Sequence, residues 1–523
     1  MLVGYVSDEY YAALADVLVE WRDANGSTVA VVRSTPRGAI LADVTPGTYE
    51  VCLSQPGFGS KRVRTVVDAN APVQFRLLSD RLLGHAWPKW CVAGETVQFR
   101  VHAVEPYQLT LYRYGIHKEF QRNLGWFDNH GPRAVMQTLP DGHFVEFGVG
   151  WDNGFGLHRQ TMLAPARSGL YYFHAKTESG AFFAFPLVVA PARPQQPLAV
   201  LASTNTWNAY NAFGGRSNYI MAAHMLDQPI VNAKMDLPRY RLANYGEWKS
   251  AETFAPLSFD RPEPYNHVPE ATQCTDPIAG RQACHLAPAE WRLLGWLEQL
   301  GFGYDLYAEH QLHSGVLDLN AYRVLILNTH PEYWSEAMYR SVKQWVQERG
   351  GRLLYLGGNG INCKIEFLHD DSAMRCYNQW PTGYESRFHH QVESEANLLG
   401  VVYSDPGAMT SAPYEVLQPD HWVFAGTGLR KGDLFGTATL HERCPDGASG
   451  HETDKISPSS PQNVRLLARG LNPDGGGAHL VYYETPSGGA VFSAGSIIYP
   501  SALLRDAPTS RITANVLRRF VEN

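Results

Sequence analysis

His330 and Glu332 stand two residues apart in the turn of YRVLILNTHPEYW, and Asn359 stands among glycines in the turn of GGRLLYLGGNG. An imidazole, a carboxylate and a carboxamide at strand ends are groups that move protons, hold a hard cation or bind an oxyanion. Whether they meet depends on the elements that carry them. Residues 324 to 327 are an uninterrupted branched apolar run, the mark of a strand covered on both faces of a parallel sheet. Pro331 ends it. Ser335 is placed to cap a helix in which Met338, Val342, Trp345 and Val346 recur at helical spacing, and Gly350-Gly351 supplies the left-handed stop. Arg352 to Leu356 starts a second buried strand that closes on Gly357-Gly358-Asn359-Gly360. Ligands collect beyond the carboxyl ends of strands in open α/β sheets, so both polar clusters are expected there. A solvated turn also carries His or Glu without chemistry; two such turns on consecutive strands favour a site.

A chain of 523 residues is too long for one core and predicts two to four domains. Hydrophobic content of 44% with 18% charged residues describes a globular protein, and a net charge of −7 gives no electrostatic reason to expect nucleic acid or an anionic membrane as partner. MLVGYVSDEYYAAL carries early acids and no basic segment, so it does not read as a signal peptide. No stretch approaches the roughly 20 apolar residues of a membrane helix. A cytoplasmic protein is expected. Cys52, Cys91, Cys274, Cys284, Cys363, Cys376 and Cys444 form no CxxC pair, which favours reduced thiols over a thiolate zinc site. Pairing of Cys274 with Cys284, or of Cys363 with Cys376, stays open.

In order along the chain, residues 1–78 read as a small β domain of short alternating runs (VLVEWRD, TVAVVRS, YEVCLSQ) separated by NG, PRG, TPG and PGFG turns. ADVTPGTYEVCLSQPGF resembles carboxypeptidase-regulatory or prealbumin-like modules, which implies a scaffold role. Residues 79–190 read as a second, Ig/fibronectin-like sandwich, with ETVQFRVHAV and YQLTLYRYG alternating and a hairpin turning at Glu178-Ser179-Gly180. VEFGVGWDNGFGLHRQTM reads as a connection across that sheet. APARPQQP is a stiff linker. Residues 198–523 read as an α/β domain. It opens with a strand, PLAVLAS, that runs into TNTWNAYNAFGGRSNY, a polar, aromatic stretch without apolar period that reads as a loop. A long irregular stretch carries RPEPYNH. AEWRLLGWLEQLGF reads as a helix and GYDLYAEHQL as a strand, residues 363–403 as an insertion beside the sheet, Gly489 to Ser493 as a strand, and Arg511 to Val521 as a closing helix.

Five segments in order, LASTNTWNAYNAFGGRSNY, FDRPEPY, LNTHPEYWSEAM, GGRLLYLGGNG and YYETPSGGAVFSAGSI, resemble the C-terminal catalytic domain of the N,N-dimethylformamidase large subunit family. The resemblance implies a glutamine-amidotransferase-like, flavodoxin-like α/β core after residue 198 and one ferric ion per chain held by two tyrosines and a glutamate. Carried over, the glutamate is Glu332, the first tyrosine Tyr210, and the second Tyr265, with Tyr245 and Tyr240 as substitutes. The site histidine is His330, the asparagine Asn359, and a second acid Glu484. Phenolate and carboxylate donors suit a hard trivalent cation, and open positions leave room for water and an amide oxygen. Glu484 is expected to move the water proton to the departing amine, with His330 and Asn359 at the oxyanion. The implied reaction is hydrolysis of a small N-substituted amide or formamide. A tertiary amide offers no N–H, so Trp207, Phe213 and Trp334 are candidate walls of an apolar pocket. Self-association through exposed sandwich edges is expected, and a small companion subunit stays open.

Two rivals follow from the same residues. A thiol-dependent amidotransferase-like hydrolase needs a cysteine at the Thr329 to Glu332 elbow, which has none; Cys363 lies just past the glycine loop. A binding protein for carbohydrate or a partner chain needs no metal. His389, His390 and Glu393 imitate a metal motif at helical spacing, without a further ligand in sequence.

Overall fold

The computed structural model describes residues 1–9, 12–68, 71–127, 143–149, 160–214, 217–218, 256–280, 283–379 and 382–522. The apolar run at 324 forms the strand Val324–Thr329, buried throughout, in a nine-stranded sheet. It pairs in parallel with Leu198–Ala202 on one side and Arg352–Gly357 on the other. Tyr304–Ala308 lies parallel outside Leu198–Ala202, and Ala490–Ser493 lies parallel beyond Arg352–Gly357. In chain order these five strands lie 2-1-3-4-5, so the order reverses between Leu198–Ala202 and Val324–Thr329. His479–Glu484, Arg465–Gly470, Tyr414–Val416 and Leu434–Phe435 extend the sheet antiparallel.

Strand alternation explains why the run at 324 has no polar gap. Val324 and Ile326 face one core with Trp291 and Leu294 of the helix Ala287–Gln299 and Ile512 and Leu517 of Ala507–Glu522. Leu325 and Leu327 face the opposite core with Met338, Val342 and Val346 of Glu336–Arg349. Ser335 accepts the Met338 N–H at 3.3 Å, and Gly350 closes the helix at φ 75°.

The first 77 residues enclose a core of their own between a four-stranded sheet (Thr28–Arg33, Leu18–Arg22, Gly47–Gln55, Gly59–Val67) and a three-stranded one (Ala39–Leu41, Leu2–Ser7, Val73–Arg76). The second β unit also has two sheets, of three and five strands, but its core is continuous with one face of the α/β sheet. Arg113 of the sandwich, buried, pairs with Glu298 at 2.6 Å and donates to the Tyr304 hydroxyl at 3.0 Å. The chain is thus strand-rich, with sandwich-like units at its N-terminal side.

Two expectations need correction. Thr204–Tyr210 is a helix, not a loop. It shows no apolar period because it is buried on every side, and its polar side chains bind backbone: Asn205 Nδ2 donates to Tyr333 O at 2.9 Å and Asn208 Nδ2 to Leu257 O at 3.0 Å. GYDLYAEHQL is the strand Tyr304–Ala308 followed by the short helix Glu309–His313. No disulfide joins any of the seven cysteines, as the expected reduced thiols require. The glycine-aromatic stretch at 150–159, and Tyr219, Tyr240 and Tyr245, lie outside the described residues. Among the described residues no helix is long and apolar enough to cross a membrane.

Glu290, on the first turn of Ala287–Gln299, accepts from Trp207 Nε1 at 2.7 Å and Ser203 N at 3.0 Å, and burial pushes its carboxyl up to about 8. Between the unfolded value of 4.5 and this folded value, the unfolded chain loses a proton that the folded chain retains, so this group lowers stability as pH rises through that window. Glu290→Gln keeps the acceptor oxygen. Denaturant unfolding from pH 5 to 8 is expected to show a slope flatter by up to about 1.4 kcal/mol per pH unit in the variant.

Candidate functional site

The Thr204–Tyr210 helix follows Leu198–Ala202 and clamps the turn after Val324–Thr329. Thr206 Oγ1 donates to His330 O at 2.6 Å and accepts from Glu332 N at 3.2 Å, while Ser203 Oγ donates to Asn328 O at 2.8 Å. These are the two strand ends between which the order reverses, where a crevice opens in such sheets. The glycine loop after Arg352–Gly357 approaches from the other side. A Cβ on Gly358 would lie 2.5 Å from Glu452 O, and one on Gly360 2.6 Å from the Tyr355 hydroxyl. Close approach therefore requires glycine at both places. Thr329, Asn359, Ile361 and His451 hold φ between 50° and 63° without being glycine, and residues forced into that region cluster at functional sites.

These loops bring His330, fully buried, into contact with two carboxylates. Its Nε2 lies 3.3 Å from Glu332 Oε2 and 3.2 Å from Glu452 Oε2. Asn359 Nδ2 donates to Glu452 Oε2 at 2.8 Å, and Asn362 Nδ2 donates to Asn359 Oδ1. Arg387 Nη2 donates to Glu332 Oε1 at 2.6 Å and its Nη1 to Asn378 Oδ1 at 3.1 Å. The Tyr210 ring lies 5.8 Å from that of His330, and His285 lies 4.5 Å from Tyr210 and 5.3 Å from His330, all centroid to centroid.

Burial opposes charge on His330, but the hydrogen bond and charge of Glu452, with Glu332 and Asp454, outweigh it and raise the imidazole above its ordinary value. Burial likewise acts to raise Glu452, and His330 and Asn359 reverse the sign and hold it low. The two shifts agree on an imidazolium–carboxylate pair. Asp454, which accepts from the Tyr355 hydroxyl at 2.6 Å and Asn359 N at 2.8 Å, is pushed by burial up to about 7.

The structure thus brings together His330, Glu332, Asn359 and Tyr210. The segment of Tyr265 is fixed beside them at both ends: Asn211 Nδ2 donates to Pro262 O at 2.8 Å, and Ala287 N donates to Asn266 Oδ1 at 3.2 Å. Its acids are held by the sandwich, Asp260 by His85 at 2.7 Å and Arg100 at 2.5 Å, and Glu263 by Lys89 at 2.5 Å. Glu484 is elsewhere. It pairs with Ala490, level with Arg352 and Val324 at the amino ends of the parallel strands, five residues and about 17 Å along the strand from Thr329. There it accepts from the Tyr482 hydroxyl and lines a separate cleft of about 920 Å³ with Trp422, Arg465 and Arg519. The antiparallel run of its strand, invisible in YYETPSGG, puts it at the wrong end. The acid found beside His330 is Glu452, missed in sequence although GHETD crowds His451, Glu452 and Asp454 into four residues without apolar period.

Trp207 and Trp334 bind buried carboxylates through their indole N–H groups, to Glu290 at 2.7 Å and Glu309 at 2.8 Å, and Phe213 is buried in the core. They support the framework rather than line an open pocket. Cys363 donates to Tyr377 O at 3.4 Å, and burial pushes its thiol up to about 12, which removes it as a nucleophile. Glu393 pairs with Arg340 and Lys343, each at 2.8 Å, away from any metal motif with His389 and His390.

Residues 108–510 match the family described as N,N-dimethylformamidase beta subunit-like, C-terminal. The chain belongs to that family. The match begins inside the second sandwich, upstream of residue 198, in keeping with the core that the sandwich shares with the α/β sheet. The beta subunit of N,N-dimethylformamidase from Paracoccus aminophilus is 26% identical over 436 residues, and that from an Alcaligenes species 26% over 440 residues; each alignment covers 71% of this chain and 54% of the relative. The chain spans about half the length of these relatives. Among solved structures, β-galactosidases from Rahnella sp. R3 and Bacillus circulans sp. alkalophilus align at 12% and 13% identity with TM-scores of 0.28 and 0.29, over 44% and 48% of this chain and 26% and 32% of theirs. That likeness is too slight to bear on fold or chemistry.

In this dimethylformamidase-family chain, Arg387 is the guanidinium against Glu332. Arg387→Met takes the guanidinium away from that buried carboxylate, and urea unfolding is expected to show a loss of about 3 kcal/mol.

Proposed function

We propose that this chain is a hydrolase of the C–N bond in a small N-substituted amide or formamide, with Glu452 as the proton-transferring acid/base. The observation that carries the reading is the convergence of His330 Nε2 and Asn359 Nδ2 on Glu452 Oε2, beside Glu332, at the strand ends where the sheet order reverses. The family to which the chain belongs, and the dimethylformamidase beta subunits that resemble it, supply the reaction class. The 2-1-3-4-5 order supports reading the parallel half as flavodoxin-like, in the manner of glutamine amidotransferases.

The donors fit a ferric ion in their chemistry. Glu332 and Tyr210 both flank buried His330, and the segment of Tyr265 is tied to Asn211 and Ala287, next to Tyr210 and His285. Tyr210, Tyr265 and Glu332 are the residues that would hold it, and the ion would supply Lewis acidity toward an amide oxygen and water. Glu452, kept ionised by His330 and Asn359, accepts a proton from the attacking water and returns it to the amine nitrogen, which in a tertiary amide carries none. His330, raised above its ordinary value by Glu452 and Glu332, is the group that would face the negative charge developing on the amide oxygen. Since the relatives are named beta subunits, a companion subunit belongs to this proposal, as does association of the chain with itself.

Iron content and turnover of dimethylformamide and larger N-alkyl amides test the assignments. Glu332→Ala is expected to lose iron and activity together. Glu452→Gln is expected to keep iron and lose at least about a hundredfold in kcat, the usual worth of a positioned acid/base. Glu484→Gln is expected to keep both. Full activity in Glu452→Gln, or iron-free wild-type protein that remains fully active, overturns the proposal.

A further inference from the structure

We propose that Cys284, His285 and His451 form a second metal site, for a thiophilic divalent cation such as Zn²⁺, distinct from the oxygen-rich cluster around His330. One ligand atom from each of the three lies within 4.8 Å of the others, and all three residues are buried. Cys284 Sγ lies 3.5 Å from Nδ1 of His285 and 3.5 Å from Nδ1 of His451. Bonds of 2.3 Å to sulfur and 2.0–2.1 Å to nitrogen at tetrahedral angles separate a sulfur and a nitrogen ligand by about 3.6 Å. Both sulfur–nitrogen edges are therefore already at the spacing that a tetrahedral cation imposes.

The donor set is one thiol and two imidazoles with no carboxylate among them, which selects Zn²⁺ or Cu(I) over a ferric ion. Cys284 and His285 sit in the short 3₁₀ turn Ala283–His285 at the foot of Ala287–Gln299, and His451 sits in a loop at φ 63°, a conformation that needs a reason in a histidine. His441 serves as a neighbour rather than a ligand. Cys444 N donates to its Nδ1 at 3.0 Å, which leaves a proton on Nε2, 3.3 Å from His451 Nδ1. Cation uptake replaces the His441–His451 hydrogen bond and the Cys284 contacts with His285 and His451 by metal–ligand bonds, releases the Cys284 proton to solvent, and leaves a fourth position open.

The test uses full-length protein stripped of metal by chelator and refilled with Co²⁺, a spectroscopic stand-in for Zn²⁺. Wild-type protein is expected to develop a near-ultraviolet thiolate-to-cobalt absorption with one equivalent of Co²⁺, and to hold one Zn²⁺ per chain in competition. Glu332→Ala is expected to keep the band, so the result is independent of whether the neighbouring cluster holds iron. Cys284→Ser is expected to abolish it. His451→Gln, which retains a polar group in the loop, is expected to weaken Co²⁺ binding by at least about tenfold, the loss caused even by removing a group that merely orients a ligand. Circular dichroism identifies any variant that fails to fold. Wild-type protein without the band, or a band that survives in folded Cys284→Ser, overturns the proposal.

Discussion

An imidazole buried between two carboxylates is the interaction around which the rest of the α/β sheet is arranged. His330 is cut off from solvent, and Glu332 and Glu452, within 3.3 Å of Nε2, offset the cost that burial sets on its charge and raise the imidazole above its ordinary value. Each carboxylate in turn needs more than one donor. Arg387 serves Glu332 and Asn359 serves Glu452, and Asn362 fixes the Asn359 amide. Gly358 is a consequence of the same constraint, because the backbone of Glu452 must come within van der Waals contact of the glycine loop for its side chain to reach His330. The left-handed backbone of Thr329, Asn359 and Ile361 is the local cost of turning those loops inward.

The second β unit belongs to this arrangement. Lys89, His85 and Arg100 of the sandwich hold Glu263 and Asp260 of FDRPEPY, the segment that carries Tyr265, with His85 as a neutral imidazole because burial lowers it to about 4. Removing either partner from Lys89–Glu263 would strand a charge inside the protein, so the pair constrains where that segment runs even if its net stabilisation is small. A module that reads in sequence as an independent sandwich is thus fused to the site by charge and by a shared apolar core. The first β domain, with a separate core, reaches the same region through the Arg76 guanidinium, which donates to Gly214 O, four residues past Tyr210.

How much of this was legible in the sequence follows from the range of each signal. The run at 324, the cap at Ser335 and the stop at Gly350 are local, and each stands where its chemistry places it. His330, Glu332 and Asn359 were legible because strand ends in a parallel sheet all point one way. Glu484 was not, since a strand that returns antiparallel carries its last residue to the other end of the sheet. TNTWNAY misread as a loop because period reports a helix with one wet face, and this helix has none. Glu452 lay beyond reach for another reason: it arrives from a loop 120 residues after Glu332, held by contacts that no local pattern encodes.

The absence of CxxC argued against thiolate ligation, yet Cys284 and His451 meet across 167 positions of sequence. Spacing rules for metal sites describe ligands that one hairpin or one turn can present; they are silent when a helix foot and a distant loop converge. His285 stands between the two donor sets, its ring 5.3 Å from His330 on one side and 5.0 Å from His451 on the other. Around His330 stand the carboxylates of Glu332 and Glu452 and the amide of Asn359, and beside His451 stand the Cys284 sulfur and the His441 imidazole. Such a division matches what hard and soft cations ask of their ligands, oxygen for the one and sulfur with neutral nitrogen for the other. Segregation of donor hardness over one imidazole's width therefore makes the chemistry of either side depend on the ring that separates them.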